Sequence, residues 1–132
     1  MHLTGEPVAH QIDLSHPETS DFLRFALDLY NHHYFWESHV YFEALWNSHG
    51  RQGVISDFLK GMIKLGAAGV KISINQNQAA MGHFTRGKEL FSSVSEKEGG
   101  IFLGFDLAKI IAAIESKSET NLEDFTIFPL WK

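Results

Sequence analysis

Apolar residues recur at spacings of three and four along most of the chain, which is the period of an amphipathic helix. Together with the prolines and glycines that interrupt it, this pattern predicts five helices. They run from the Ser15–Pro17 start signal to about Asn31, from about Tyr34 to His49, from about Val54 to Asn75, from about Gln78 to Val94, and from Asp106 to about Ser116. Strand-like alternation and hairpin turns are not found before residue 117. The sequence therefore predicts an all-α protein, a compact bundle of about five helices.

The third predicted helix is apolar around most of its circumference. Its large side chains repeat every seven residues at Phe58, Leu65 and Ile72. Its lysines fall on one narrow polar strip, the lysine strip, made of Lys60, Lys64 and Lys71. We expect such a helix to be central and covered on nearly all sides. Each glycine inside it costs roughly 1 kcal/mol relative to alanine, so close packing against a neighbouring helix is predicted to compensate.

The length of the chain is that of one domain, so residues 1–132 are predicted to form a single helical domain. Residues 1–16 are expected to be an N-terminal extension, and residues 117–132 a C-terminal tail. The tail is polar at first and then aromatic. Its apolar side chains are expected to pack back on the bundle: Phe125, Ile127, Phe128, Leu130 and Trp131.

Composition and charge narrow the functional classes. A hydrophobic content of 44% with eleven phenylalanines favours a packed globule, and the large stock of aromatics favours a homodimer. A formal charge of -5 without a basic cluster argues against a nucleic-acid partner. Met1–Ser15 has no apolar run, and Lys64 and Lys71 interrupt the stretch Gly61–Ala80, so neither a signal peptide nor a membrane span is predicted. The absence of cysteine makes a cytoplasmic location the simplest expectation.

The second predicted helix carries the candidate chemistry. On a wheel of about 100° per residue, five residues lie within about 60° of His39. They are Phe35, Trp36, Phe42, Glu43 and Trp46, whereas Glu37 falls on the far side. The aromatics indicate that this face is buried, and a buried carboxylate needs a partner. His39 is one turn from Glu43, so a buried His39–Glu43 pair on an aromatic-lined face is predicted.

Three interpretations of this pair remain open. In the first, the pair is structural, or Glu43 instead bridges to a lysine such as Lys64. In the second, the pair lines a pocket for a small molecule or a partner. In the third, it belongs to a metal site, for which a third ligand would come from His32, His33, His49 or His83.

No catalytic or phosphate-binding motif accompanies the pair, and no cofactor is predicted. The favoured hypothesis is therefore a non-enzymatic binding or structural module. The alternative is a metal-dependent hydrolase, or another small-molecule enzyme, that uses His39 and Glu43. The residues of the candidate pocket are Asn31, Trp36, Glu37, His39, Glu43, Trp46 and Lys64.

The stretch from Tyr30 to Trp46 resembles the signature of the domain of unknown function 309, a family of small helical bacterial and archaeal proteins. That signature runs approximately F-N-x-x-x-[YF]-[FW]-E-x-H-E-x-x-E-x-x-W, and the matching residues are Asn31, Glu37, His39, Glu43 and Trp46. Lys60–Ala68 resembles a second family block, and Leu103–Asp106 followed by Ile110 resembles a third. The resemblance implies an all-helical fold and carries no established biochemical activity.

Two departures from the family pattern bear on the ligand. Val40 stands where the family has a glutamate after the histidine, and Lys60 and Lys64 stand where it has glutamines. The loss of a carboxylate and the gain of ammonium groups both weaken cation binding. If the lysine strip faces the second helix, these changes favour a structural pair or an anionic ligand.

Overall fold

Helices that follow one another in the sequence pack side by side in space. The computed structural model describes residues 8–117 and 125–131. Within them lie α1 (Asp21–Asn31), α2 (Phe35–Ser48), α3 (Gly53–Ser73), α4 (Asn77–Glu98), β1 (Ile101–Phe102), β2 (Phe105–Asp106) and α5 (Leu107–Glu115). A 3₁₀ turn, Pro17–Thr19, precedes α1. The predicted all-α bundle of about five helices is confirmed.

The central helix is α3, as predicted, and it packs against α2 on one side and α4 on the other. Its glycines are the points of closest approach. A Cβ on Gly61 would lie 2.8 Å from the ring of Phe91 in α4, and one on Gly69 would lie 2.5 Å from the ring of Phe35 in α2. Phenylalanine rings therefore occupy the space that side chains on α3 would fill. No described helix, α3 included, has the length and apolarity needed to cross a membrane.

Each of the first three helices is followed by a residue in the left-handed conformation. That residue is His33 after α1, Gly50 after α2 and Asn75 after α3, with φ of 67°, 74° and 60°. After α2 the next residue, Arg51, also has a positive φ of 62°. After α1, the N–H of Tyr34 donates to the carbonyl of Leu29 over 2.8 Å, which is the six-to-one bond of a Schellman motif. These caps turn the chain within a few residues, so α1 to α4 run as successive antiparallel hairpins.

The predicted start of α1 is wrong by several residues. Pro17 opens the 3₁₀ turn instead, and α1 begins after Ser20, whose hydroxyl accepts the N–H of Leu23 over 3.1 Å. The buried residues of α1 are Leu23, Ala26, Leu27 and Tyr30, whereas Phe25 is 48% exposed. The predicted start of the fifth helix is confirmed within one residue, because Asp106 is the N-cap of α5 and its side chain accepts the N–H of Lys109.

A small hairpin formed by β1 and β2 corrects the expectation that the chain has none. Its turn residues, Leu103 and Gly104, have φ of 53° and 81°, as in a type I′ turn. Two-residue strands are too short to show alternation. Leucine is also an unusual first residue for this turn, so neither sequence signal was present.

Within the described residues, the C-terminal tail is hydrogen-bonded to Asn31 and to the turn of the β1–β2 hairpin, where the N–H of Leu130 donates to the carbonyl of Gly104 over 2.6 Å. The side-chain amide of Asn31 donates to the carbonyl of Ile127 and accepts the N–H of the same residue, both over 2.8 Å. The indole N–H of Trp131 donates to the carbonyl of Leu103 over 2.9 Å, and its ring lies against Gly104.

The expectation that the aromatic residues of the tail pack back on the bundle is confirmed only in part. Ile127 is buried, and Phe125 and Trp131 pack against the core. Phe128 and Leu130, by contrast, are 62% and 63% exposed. Residues 118–124 and 132 of the predicted tail lie outside the described residues, as do residues 1–7 of the predicted N-terminal extension.

The described part of the N-terminal extension lies against the C-terminal end of α2. The N–H of Ile12 donates to Nε2 of His49 over 2.9 Å, and the side-chain amide of Gln11 donates to the carbonyl of Ser48. Ile12 itself is only 4% exposed. His49, considered above as a metal ligand, is therefore an anchor for this segment.

We expect the free energy of unfolding to fall when His49 gains a proton. Burial lowers the pKa of His49 below its ordinary value of 6.5, and Nε2 accepts the N–H of Ile12 only when it is unprotonated. The unfolded chain then binds more protons than the folded one. The contribution of His49 is therefore complete above pH 6.5 and is lost as pH falls through the lowered pKa.

Urea unfolding of the wild type and His49→Gln at pH 7.5 and pH 5 measures this effect. Glutamine keeps an acceptor but does not titrate, so the variant should lose less stability on acidification. His10→Gln, at an exposed position, is the control and should behave as the wild type. An equal loss in all three proteins would contradict the role of His49.

Candidate functional site

The buried face of α2 is centred on a different line from the predicted one. Its buried residues are Phe35, Ser38, Phe42 and Leu45. On the helical wheel, the centre of this buried face lies about 80° from His39, so His39 is at the edge of the face. The sequence prediction missed Ser38, which is small and fully buried, because it placed the buried face by the aromatic residues alone. Its hydroxyl donates to the carbonyl of Phe35 over 3.1 Å and so needs no partner outside α2.

His39 and Glu43 do form a pair, but it is not buried. Nε2 of His39 lies 3.5 Å from Oε2 of Glu43, and the side chains are 25% and 50% exposed. Water solvates the carboxylate, so Glu43 needs no compensating charge from the core. A pair of this exposure contributes at most about 1 kcal/mol to stability. The prediction of a pair is confirmed, and the prediction that it is buried is wrong.

The two tryptophans of α2 differ in their surroundings. Trp36 is 64% exposed, and its ring centre lies 5.7 Å from that of His39. Trp46 is half-buried, and two cations lie over its ring. The guanidinium of Arg51 is 5.0 Å from the ring centre, and the ammonium of Lys60 is 5.7 Å from it. Both indoles therefore lie next to groups that carry or accept positive charge.

The lysine strip of α3 faces both neighbouring helices. At the α2 side, the ammonium of Lys60 lies 5.7 Å from the ring centre of Trp46. At the α4 side, a Cβ on Gly87 would lie 3.6 Å from Cβ of Lys64. Lys64 thus lies beside α4, while Lys60 reaches α2. Of the two lysines that replace family glutamines, Lys60 therefore meets the condition of facing the second helix.

His83 on α4 completes this arrangement. The pKa of His83 is lowered below its ordinary value. Burial is the largest cause, and the positive charges of Lys64 and Lys71 and the nearby His39 lower the pKa further. Side chains from three helices therefore lie close enough to raise the cost of protonating His83. We call this surface the cationic face; its members are His39, Arg51, Lys60, Lys64, Lys71 and His83.

Few negative charges offset the cationic face. Glu43 is paired with His39, and Asp57, one turn before Lys60, lies 4.0 Å from the ammonium of Lys97. Neither Lys64 nor Lys71 forms an ion pair with a described residue, and Lys71 donates instead to the neutral side chain of Gln76 over 3.0 Å. Such a surface attracts anions and disfavours cations.

The metal-site hypothesis finds no third ligand in the described residues. No group of three His, Cys, Asp or Glu side chains in residues 8–117 and 125–131 is placed to hold an ion. Nδ1 of His32 is bonded to the carbonyl of Asp28, His33 stacks on Phe35, and His49 anchors Ile12. Only His83 is near His39, and two lysines share that space.

The predicted pocket residues separate into three places. Asn31 holds the tail and lies apart from the others. Trp36 and Glu37 line a cleft of about 420 Å³ between the ends of α2 and α3. The remainder belong to or adjoin the cationic face: His39, Glu43, Trp46 and Lys64. The predicted pocket lacked four members of the cationic face, Arg51, Lys60, Lys71 and His83, because spacing within one helix does not show which residues elsewhere in the chain lie beside it.

Comparison with known proteins confirms the family resemblance. Residues 23–83 match the model of the family described as Domain of unknown function (DUF309). The match covers α1 to α3 and the first turns of α4, and with them the first two blocks found in the sequence. The third block lies outside it. No curated protein and no solved structure matches the chain.

Proposed function

We propose that this chain, whose residues 23–83 match the DUF309 family, is a non-enzymatic binding module. In this proposal it holds an anionic group at the cationic face. The family description names no activity, so the proposal is based on geometry and charge. The ligand class follows from the side chains that converge there from α2, α3 and α4.

The observation that carries the proposal is the convergence of Lys64, Lys71, His39 and His83 without ion-pair partners for the lysines among the described residues. Like charges at short range repel, and this repulsion contributes to the lowered pKa of His83. A bound anion removes the repulsion and gains several charge-assisted hydrogen bonds. The electrostatic energy of this surface is thus lower with a bound anion than without one.

The distribution of charge along the chain supports the same ligand class. The cationic face holds four of the eleven lysine and arginine residues, namely Arg51, Lys60, Lys64 and Lys71, in a chain with a formal charge of -5. Ala67 lies between Lys64 and Lys71 on the strip, and its short, half-buried side chain leaves room above the helix. Glu43 holds His39 at the edge of this space.

Binding of inorganic pyrophosphate, followed by calorimetry at about 0.15 M salt, where the Debye length is about 8 Å, tests the proposal. Lys64→Glu should weaken binding at least tenfold, which corresponds to about 1.4 kcal/mol. The matched control is Lys109→Glu, a charge reversal at an exposed site on α5, and it should change the Kd by less than about twofold, because exposed charges beyond a Debye length are screened. Equal losses in the two variants, or no binding to the wild type, would remove the proposal.

The ratio of the affinity of the wild type for pyrophosphate to that of His83→Gln should rise as pH falls from 8 to 6. Pyrophosphate itself gains protons in this range, and the ratio cancels that effect. Protonated His83 attracts the anion, and its lowered pKa is raised by bound negative charge, so binding takes up a proton. His83→Gln should bind pyrophosphate as the wild type does at pH 8 and more weakly than the wild type at pH 6. A divalent metal bound stoichiometrically at His39 would instead favour the hydrolase alternative.

A further inference from the structure

A second concave surface lies outside the cationic face. It is the cleft of about 420 Å³ between the N-terminal end of α2 and the C-terminal end of α3. Its volume is within the range of small-molecule sites. The side chains that matter for its chemistry are Tyr34, Trp36 and Glu37 on the α2 side, and Val70 and Ile72 on the α3 side.

Two exposed aromatic rings line the cleft. Tyr34 is 56% exposed and Trp36 is 64% exposed, although most large aromatic residues of the described chain are buried or half-buried. The face of an aromatic ring carries negative electrostatic potential and attracts a cation within about 6 Å of its centre. The exposed rings therefore offer a surface that suits a positive charge.

The floor of the cleft exists because α3 has a glycine there. Gly69 lets the ring of Phe35 lie directly on the helix backbone, and Val70 and Ile72 flank it. This floor is apolar. It favours a ligand whose surface is made of methyl or methylene groups.

The charge of the cleft comes from Glu37. Its side chain is exposed and forms no hydrogen bond or ion pair with a described residue. The ammonium of Lys71, on the helix that supplies the floor, is bonded to Gln76. A ligand in this cleft therefore meets a carboxylate with unused acceptor capacity.

We propose that this cleft binds a quaternary ammonium group, with Trp36 and Tyr34 contacting its methyl groups and Glu37 balancing its charge. A quaternary ammonium ion is weakly hydrated and has no N–H groups, so an apolar floor and ring faces satisfy it. A primary ammonium is strongly hydrated and loses more on entering such a site. An anion is repelled by Glu37. The inference is independent of the anion bound at the cationic face.

Titration with choline tests the inference, with 3,3-dimethylbutan-1-ol as its neutral isostere. Two-dimensional NMR of labelled protein follows the indole N–H of Trp36 and the amides of Glu37 and Gly69. Choline should bind with a Kd at least fivefold lower than that of the alcohol, with shifts confined to the cleft. Trp36→Leu and Glu37→Gln should each weaken choline binding at least fivefold. Both residues are exposed, so the variants should keep the melting temperature of the wild type.

Glu96→Gln on α4 is the matched control, because it neutralises an exposed carboxylate elsewhere. It should leave choline binding unchanged. Equal affinity for choline and the neutral alcohol would show an apolar cleft only, and would overturn the inference. So would unchanged binding in Trp36→Leu, shifts located elsewhere, or tighter binding of methylguanidinium than of choline. Loss of pyrophosphate binding in Lys64→Glu has no bearing on these outcomes.

Discussion

Replacing Gly69 with alanine is expected to lower the free energy of unfolding by about 1–3 kcal/mol, the usual cost of overpacking a core. The added methyl carbon would lie 2.5 Å from the ring of Phe35. That ring has little space to retreat, since Tyr30 packs edge-on against it at 5.4 Å and His33 stacks on it at 5.4 Å. The midpoint of urea unfolding measures the loss.

Gly82→Ala is the matched control for this substitution. Gly82 is also inside a helix, but it is exposed and no described atom lies within 4 Å of a Cβ placed there. Alanine should therefore stabilise the protein at Gly82 by up to about 1 kcal/mol through helix propensity. Combining Gly69→Ala with Phe35→Leu should recover part of the loss, as a double-mutant cycle would show. Stabilisation by Gly69→Ala alone would contradict the contact.

Replacing Asn31 with alanine is expected to cost about 2 kcal/mol, because two hydrogen bonds of about 1 kcal/mol each are lost at once. The N–H and the carbonyl of Ile127 would both lose their partner in a part-buried site. The tail should then leave the bundle, which would shift the indole N–H resonance of Trp131. Urea unfolding and NMR measure the two effects.

Asn47→Ala provides the comparison for Asn31. Asn47 is an exposed asparagine on α2 whose side chain accepts only from Arg51 within the described residues. Its replacement should change stability by no more than about 0.5 kcal/mol, as at most surface positions. If Asn31→Ala had an equally small effect and left Trp131 unshifted, the clamp on the tail would be refuted.

The sequence predicted best the helices whose apolar pattern extends over many turns and whose ends are marked by glycine or proline. α3 has an apolar surface over many turns, and Gly50 follows the C-terminal end of α2, so both helices were placed within about two residues. The glycines of α3 were correctly expected to pack closely. The identity of the rings that cover them, Phe35 and Phe91, depends on how helices are arranged and has no local signal.

The candidate site was predicted less well than the fold, and Asn31 shows why. It matches the family signature, so it was grouped with the pocket, whereas its amide binds a peptide unit 96 residues further on. No spacing in the sequence connects two such positions. The exposure of Glu43 was likewise missed because aromatic residues alone defined the buried face. Trp36, one of those aromatics, is exposed instead.

The expectations of a homodimer and of a cytoplasmic location stay predictions. Exposed Tyr34, Trp36 and Phe128 supply apolar surface on the described part of the chain. Light scattering at micromolar concentration would measure the mass of the particle. In a dimer that covers Trp36, choline and the second subunit would compete, so the two measurements inform each other.

The succession of neighbouring helices has a consequence for the rate of folding. Because α1 to α5 pack chiefly on helices adjacent in sequence, most native contacts close only short loops, and chains of this kind fold fast. The bond between Asn31 and Ile127 is of the opposite kind, since it closes a loop of 96 residues and carries the larger entropic cost. We therefore expect the bundle to form before the tail attaches, so that a probe on Trp131 would follow the last step of folding.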